Sequence, residues 1–209
     1  LNESTSNIAT ADYSLRREYI NMAQQEWAET YRWRSLYREN NSRISATTGN
    51  ASVALPSDFR ALAAFPRITY DGTTTEEFPE IRPEEKQQYD DLDRYILILG
   101  DQNAGFTMFV NAGTLASGAS IMLPYYRSVA SLVSPANIAM CPNPDYLVQR
   151  TLAYIWESQS DPRFPQAKSE ADKILKRMVG YEQQYSNAYD NRIITTERKD
   201  YGSFRWGAD

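Results

Sequence analysis

The sequence predicts an α+β fold: a helical bundle built from an N-terminal helix and a C-terminal helical hairpin, a small antiparallel β-rich insert between them, and an extended C-terminal tail. Three observations predict it. Apolar residues near the start recur in steps of three and four, short β-rich runs separated by turn signals fill the middle, and the helical period returns after Asn143. With 209 residues the chain suits one domain, whose helical part covers 13–33 and 143–190, its insert 34–130 and its C-terminal arm 191–209.

Ser14 is placed to cap the first helix, whose apolar positions are Leu15, Tyr19, Met22, Ala23, Trp27 and Tyr31, with Arg16, Arg17, Glu18, Gln25, Glu26 and Glu29 on the other face. Asn40, Asn41 and the run Thr47 to Asn50 mark turns around short strands at 33–37, 43–46 and 52–55. The hexapeptide Leu55-Pro56-Ser57-Asp58-Phe59-Arg60 follows. Pro56 fixes its own φ and pushes Leu55 toward an extended backbone, leaving Ser57 and Asp58 to bond local amides in a tight turn. Phe59 is expected to plug the junction of helices and sheet. A second reading pairs Asp58 with Arg60 across an interface between copies.

Phe59 to Tyr70 reads as a strand broken at Pro66, and Asp71-Gly72 as a hairpin turn leading into a partner strand at 74–81. Pro83-Glu84-Glu85 opens a short helix. Tyr95 to Leu99 and Phe106 to Val110 flank the loop Gly100 to Gly105, and Ile121 to Ser128 forms a further strand. That glycine loop lacks the Lys-Ser/Thr of a phosphate-binding loop and reads as a strand connection. Asn143 caps a helix with Pro144 in its first turn and Leu147, Thr151, Leu152 and Ile155 on its buried stripe. After Ser160-Asp161-Pro162 a longer helix carries Ala167, Ala171, Ile174, Leu175, Met178 and Tyr185, interrupted by Glu182, with Lys168, Lys173, Lys176 and Arg177 on its solvated face.

Composition excludes much chemistry. The chain has no histidine and one cysteine, so His-dependent catalysis, His-ligated metals, zinc fingers and intrachain disulfides are all ruled out, and no cofactor is expected. Cys141 reads as a small buried apolar residue. No apolar run approaches the length needed to cross a bilayer and the first 30 residues carry no signal pattern, so the expectation is no membrane partner and a cytosolic site of synthesis. The net charge of −5 is uneven. Glu76 to Asp93 holds eight acids against Arg82 and Lys86, a local charge of −6, which leaves the remainder near +1. Nothing resembles the basic stripe that gripping nucleic acid requires. Glu76, Glu77, Glu80, Glu84 and Glu85 therefore belong either to a solvated face or to an acidic wall turned toward DNA or a basic partner.

An N-terminal helix ending near Trp27 and Trp33, the Leu-Pro-x-Asp-Phe turn, a strand ending in Leu123-Pro124-Tyr125-Tyr126-Arg127 and a helical pair opening on Asn143-Pro144-Asp145 together resemble the head-tail adaptor proteins of tailed double-stranded DNA bacteriophages, also called connectors or head-completion proteins. The resemblance spans Tyr13 to Val179 as an order of elements. The loop Asn111 to Ser120 and the tail beyond Tyr189 match nothing in that order. It implies a structural virion protein and not an enzyme: a ring, commonly of twelve copies, between the capsid portal and the tail or neck proteins, assembled in the host cytoplasm and placed in the virion neck. DNA would pass through its lumen without specific binding, which a neutral or acidic lining favours.

Fifteen tyrosines and four tryptophans offer anchors for such an interface. In the tail, Tyr201, Phe204, Arg205 and Trp206 sit among glycines and charges without a helical period. They read as a frayed terminus or as an arm that docks on the portal or a neighbouring subunit, and aromatic and arginine chemistry favours the arm. Two other classes remain open at this point: a monomeric capsid or tail accessory binding module, and a carboxylate-dependent glycan hydrolase using two of Glu76, Glu77, Glu80 and Asp101.

Overall fold

A computed structural model describes residues 10–43, 50–89, 93–113, 115–116, 119–134 and 136–201, with side chains described at 12–41, at 51–184 within those ranges, and not beyond 184. The chain is mixed helix and antiparallel sheet, compatible with the expected α+β class. It divides into two compact units: Leu1–Tyr31 with Ser131–Asp209, and Arg32–Ala130.

Among the described residues the first unit holds three helices, α1 (Thr10–Thr30), α2 (Pro144–Ser158) and α3 (Phe164–Tyr201). α1 packs on α2, and α2 on α3. The first helix begins before Ser14, which is an interior residue and not a cap. Thr10 to Tyr13 contains no breaker, and Asp12 lies in the first turn at the positive end of the helix dipole. Its buried face is also rotated from the expected one: Ala23, Gln24, Trp27 and Ala28 are buried, while Leu15 and Met22 are exposed. Gln24 is buried because its side-chain oxygen accepts from the Met140 N–H at 2.7 Å. Asn21 similarly grips Leu132, donating to its carbonyl at 3.2 Å and accepting from its N–H at 2.7 Å. Two amides on α1 thus satisfy the backbone of the 131–140 segment, a role that an apolar stripe cannot fill.

The Asn143 side chain caps α2 by accepting from the N–H groups of Asp145 and Tyr146 at 3.0 and 3.3 Å. Tyr146, Leu147, Thr151 and Ala153 are its buried residues, so Leu152 and Ile155 are only partly covered. The turn into α3 closes through Ser160, whose φ is +53°, with Ser160 N–H on Glu157 and Asp161 N–H on Trp156. This pattern satisfies the last carbonyls of a helix. Along α3, Ala167, Ala171 and Met178 are buried. The helix continues to Tyr201, so the first part of the expected extended arm, 191–201, is helical. No glycine or proline intervenes before Gly202, and nothing local stops backbone hydrogen bonding.

Among the described residues the second unit contains eight strands: β1 (Tyr37–Arg43), β2 (Asn50–Ala54), β3 (Phe59–Leu62), β4 (Arg67–Thr69), β5 (Thr75–Glu77), β6 (Tyr95–Asp101), β7 (Gly105–Asn111) and β8 (Ser120–Arg127). β8 organises one sheet. β1 runs along one edge of it, while β3 and β4 share the other, and β5 completes the order β1-β8-β4-β5. The other sheet is β2-β7-β6. Ile68, Ile121, Leu123 and Tyr125 from the first sheet and Ile96, Met108 and Val110 from the second join one buried cluster.

Several expected elements shift. Residues 34–36 form a 3-10 turn, and Asn40 and Asn41 lie inside β1, opposite Leu123 and Met122 of β8, where a turn was expected. Pairing across the sheet overrides local turn preference. The strand expected at 43–46 lies mostly outside the described residues. The partner strand after Asp71-Gly72 is confined to Thr75–Glu77. In that turn only Gly72 takes a positive φ, +87°. Asp71 contributes its carboxylate instead, accepting from the Thr73 N–H at 2.8 Å and the Thr74 hydroxyl at 2.6 Å.

Candidate functional site

The Leu-Pro-x-Asp-Phe turn connects β2 to β3 within the β unit, so it is not the point where helices hand over to sheet. Phe59 packs edge-on against Phe106 at 5.3 Å and stacks with Tyr125 at 5.9 Å. It therefore fills space between the two sheets. The Phe59 N–H donates to the Pro56 carbonyl at 2.9 Å, closing the turn through the backbone. The Asp58 carboxylate accepts from the Tyr125 hydroxyl at 3.0 Å, and its own carbonyl accepts from the Ser128 N–H at 2.6 Å. Leu55 is buried and Pro56 partly so, and the motif pins β8 to the start of β3.

The acidic residues separate into three environments. Glu76 pairs with Arg94, whose guanidinium lies 4.0 Å from the centre of the Tyr70 ring. Glu77 and Glu80 line one shallow depression of about 420 Å³ with Arg32, Leu62 and Phe65. Glu84 and Glu85 sit on a 3-10 turn, Pro83–Gln88, where the Glu85 carboxylate accepts from the Arg82 N–H at 3.1 Å. Lys86 of that turn stands 4.8 Å over the Phe109 ring, on the face of the β6–β7 sheet where Tyr95, Leu97 and Ile81 form a second small cluster. Phe78 and Ile81 are buried between these carboxylates. Asp90 and Asp91 lie outside the described residues.

Two of the hydrolase candidates, Asp101 and Glu76, are engaged by neighbouring donors. Asp101 accepts from the N–H groups of Ala104 and Asn103 at 2.8 and 2.7 Å, which hold its pKa below the ordinary value. Glu76 is neutralised by Arg94. A catalytic acid needs the opposite of the Asp101 environment, a pKa raised by burial.

The helical unit contains the densest polar constellation. Glu26 accepts from Arg150 Nε and from the Tyr154 hydroxyl, both at 2.6 Å, and Tyr19 stacks on Tyr154 with ring centres 6.1 Å apart. Nearby Cys141 is buried, and burial pushes its thiol up to about 11. The Tyr146 hydroxyl is buried without a hydrogen-bond partner among the described residues. The cluster ties α1 to α2; it holds no activated nucleophile, since the one thiol is kept protonated.

What this unit offers outward is apolar surface on short segments. Ile138 is 91% exposed and Val133 69%, both on the segment that Asn21 and Gln24 tether, and Tyr181 on α3 is 64% exposed. A groove beside Gly180 of α3 adds to this surface; its only sequence signal is a glycine inside a helical pattern. Of the tail residues expected to bind partners, Tyr201 ends α3, its side chain lying outside the described set along with Phe204, Arg205 and Trp206. Among the described residues no three or more acidic or cysteine side chains gather as a metal site, and no helix is long and apolar enough to cross a membrane.

The arrangement is that of a protein that presents surfaces: firm tethers within each unit, shallow depressions and scattered exposed apolar side chains. No curated protein matches the chain. A family model described as SU10 adaptor protein matches residues 1–207, nearly the whole sequence. The chain belongs to that family, a phage head-tail adaptor family, a structural class of virion protein and not a class of enzymes.

Proposed function

We propose that the protein assembles as a ring of about twelve copies that joins the capsid portal to the tail, with DNA passing through its lumen. The observation that carries this reading is the match of the adaptor family to residues 1–207. Its charge supports the reading. With 27 acidic against 22 basic residues, the chain lacks the excess of cations that would hold phosphates in place. Assembly in the host cytoplasm and a final place in the virion neck follow from the same reading. The arm containing Tyr201, Phe204, Arg205 and Trp206 docks on the portal or a neighbouring subunit, and Glu76, Glu77, Glu80, Glu84 and Glu85 face the lumen or a basic partner.

Mass photometry and negative-stain imaging of the purified protein, alone and with its cognate portal, test the ring. A closed oligomer in either sample is the expected result. A chain that remains monomeric and ignores the portal is an accessory binding module, and the ring reading fails. Deleting residues 193–209 should abolish portal binding or assembly; unchanged behaviour would remove the arm from the proposal.

A further inference from the structure

α3 carries a glycine that its own fold does not use. Gly180 lies mid-helix, and a Cβ built there meets no atom within 4 Å outside its own helix backbone and chain neighbours. Glycine is among the least favourable residues in a helix interior, so its presence without a packing reason suggests close approach by something else. Gly180 forms part of an apolar groove of about 450 Å³ lined also by Leu175 and Val179, with Thr30 of α1, Asp172 and Lys176 among its walls. A volume of this size is in the range of clefts that hold a ligand or an inserted side chain.

Resting on the ring reading above, we infer that this groove receives the Phe204-Arg205-Trp206 segment of a second copy of the chain. The chemistry is complementary: an aromatic ring against Leu175, Val179 and the bare backbone of Gly180, the Arg205 guanidinium toward Asp172, and the Lys176 ammonium toward an aromatic face. The segment of the same chain cannot supply it. From Val179 to Tyr201 the helix rises about 33 Å at 1.5 Å per residue. The five residues from Tyr201 to Trp206 span at most about 18 Å when fully extended. A helix that carries its aromatic residues so far from its own groove makes the contact heterologous, the type that closes a ring when repeated with rotation.

Two full-length variants test the inference. Gly180→Ala should fold with an unchanged or higher melting temperature, because alanine favours the helix, yet raise the concentration for half-assembly at least tenfold by narrowing the groove. Equal assembly by Gly180→Ala and the parent would overturn the docking. In a Cys141→Ser background, one tagged copy carrying Val179→Cys is mixed with a differently tagged copy carrying Trp206→Cys, with and without cognate portal, and oxidised. A product bearing both tags is expected. Rings that assemble without that product, or a Trp206→Cys product with portal alone, overturn the docking and leave the ring reading standing. A chain that stays monomeric in both samples overturns both.

Discussion

The Glu26 carboxylate receives Arg150 and Tyr154 together, so removing its charge strands a guanidinium whose side chain is only 14% exposed. Glu26 itself is 34% exposed, which moderates the loss through solvent screening. Glu26→Gln is expected to cost about 2 kcal/mol, measured by urea unfolding, since an unsatisfied charged group costs more than a lost neutral hydrogen bond. A second residue-scale prediction concerns pH. The Tyr37 hydroxyl donates to Glu39 at 2.6 Å, and that bond, assisted by burial, raises the phenol to about 12. A folded value above the ordinary 10 means that this interaction stabilises the fold fully below pH 10 and is lost as pH rises through about 12. Absorbance titration should show the high-pH part of the tyrosine transition losing one phenol in Glu39→Gln, which moves down toward 10. If the profile were the same in both proteins, the hydrogen bond would not be the cause. Glu26 was not legible in the sequence as a tether, because it stands among Gln25 and Glu29 on a face that reads as solvated; its partners lie about 125 residues away.

Hairpins carry their instructions locally, and the β6–β7 hairpin shows how far two glycines can differ. Gly100 has φ +109°, and a Cβ there would come within 2.2 Å of the Gly105 carbonyl oxygen; Gly105 has φ +85° and open space. Gly105→Ala pays only the left-handed backbone cost, about 1–2 kcal/mol. Gly100→Ala adds a clash with backbone that cannot swing aside, so it is expected to lose about 3 kcal/mol or more, or to fail to fold. Thermal unfolding of the two variants side by side checks the order; equal losses would contradict it. This hairpin, the Asn143 cap and the Asp71-Gly72 turn were legible because each signal lies within a few residues of its effect. The placement of β1 was not. Asn40 and Asn41 have turn chemistry, and only β8, some 80 residues later, converts them to strand. The same distance explains Phe59: its burial was foreseeable, but Phe106 and Tyr125, the rings that bury it, come from two strands far along the chain.

At the scale of the molecule, the chain enters the β unit at Arg32 and leaves it at Ala130, and Tyr37 stands opposite Tyr126 where β1 pairs with β8. Entry and exit therefore lie on neighbouring strands, the geometry of an insertion. Among the described residues, the main buried cluster of this unit, from Ala51 to Tyr125, draws on both sheets and on 32–130 alone. A segment of this size buries enough surface to fold alone. Excised residues 32–130 are expected to show a β-type circular dichroism spectrum, dispersed amide resonances and a single cooperative urea transition. A random-coil spectrum would mean that the helical unit supplies stability its own contacts do not reveal. A folded fragment would also let the acidic residues Glu77, Glu80, Glu84 and Glu85 be tested against portal and tail proteins without the helices, the Gly180 groove or the C-terminal arm. Binding by the fragment alone would assign the partner-facing role to the β unit; binding only by the full chain would assign it to the helices and arm.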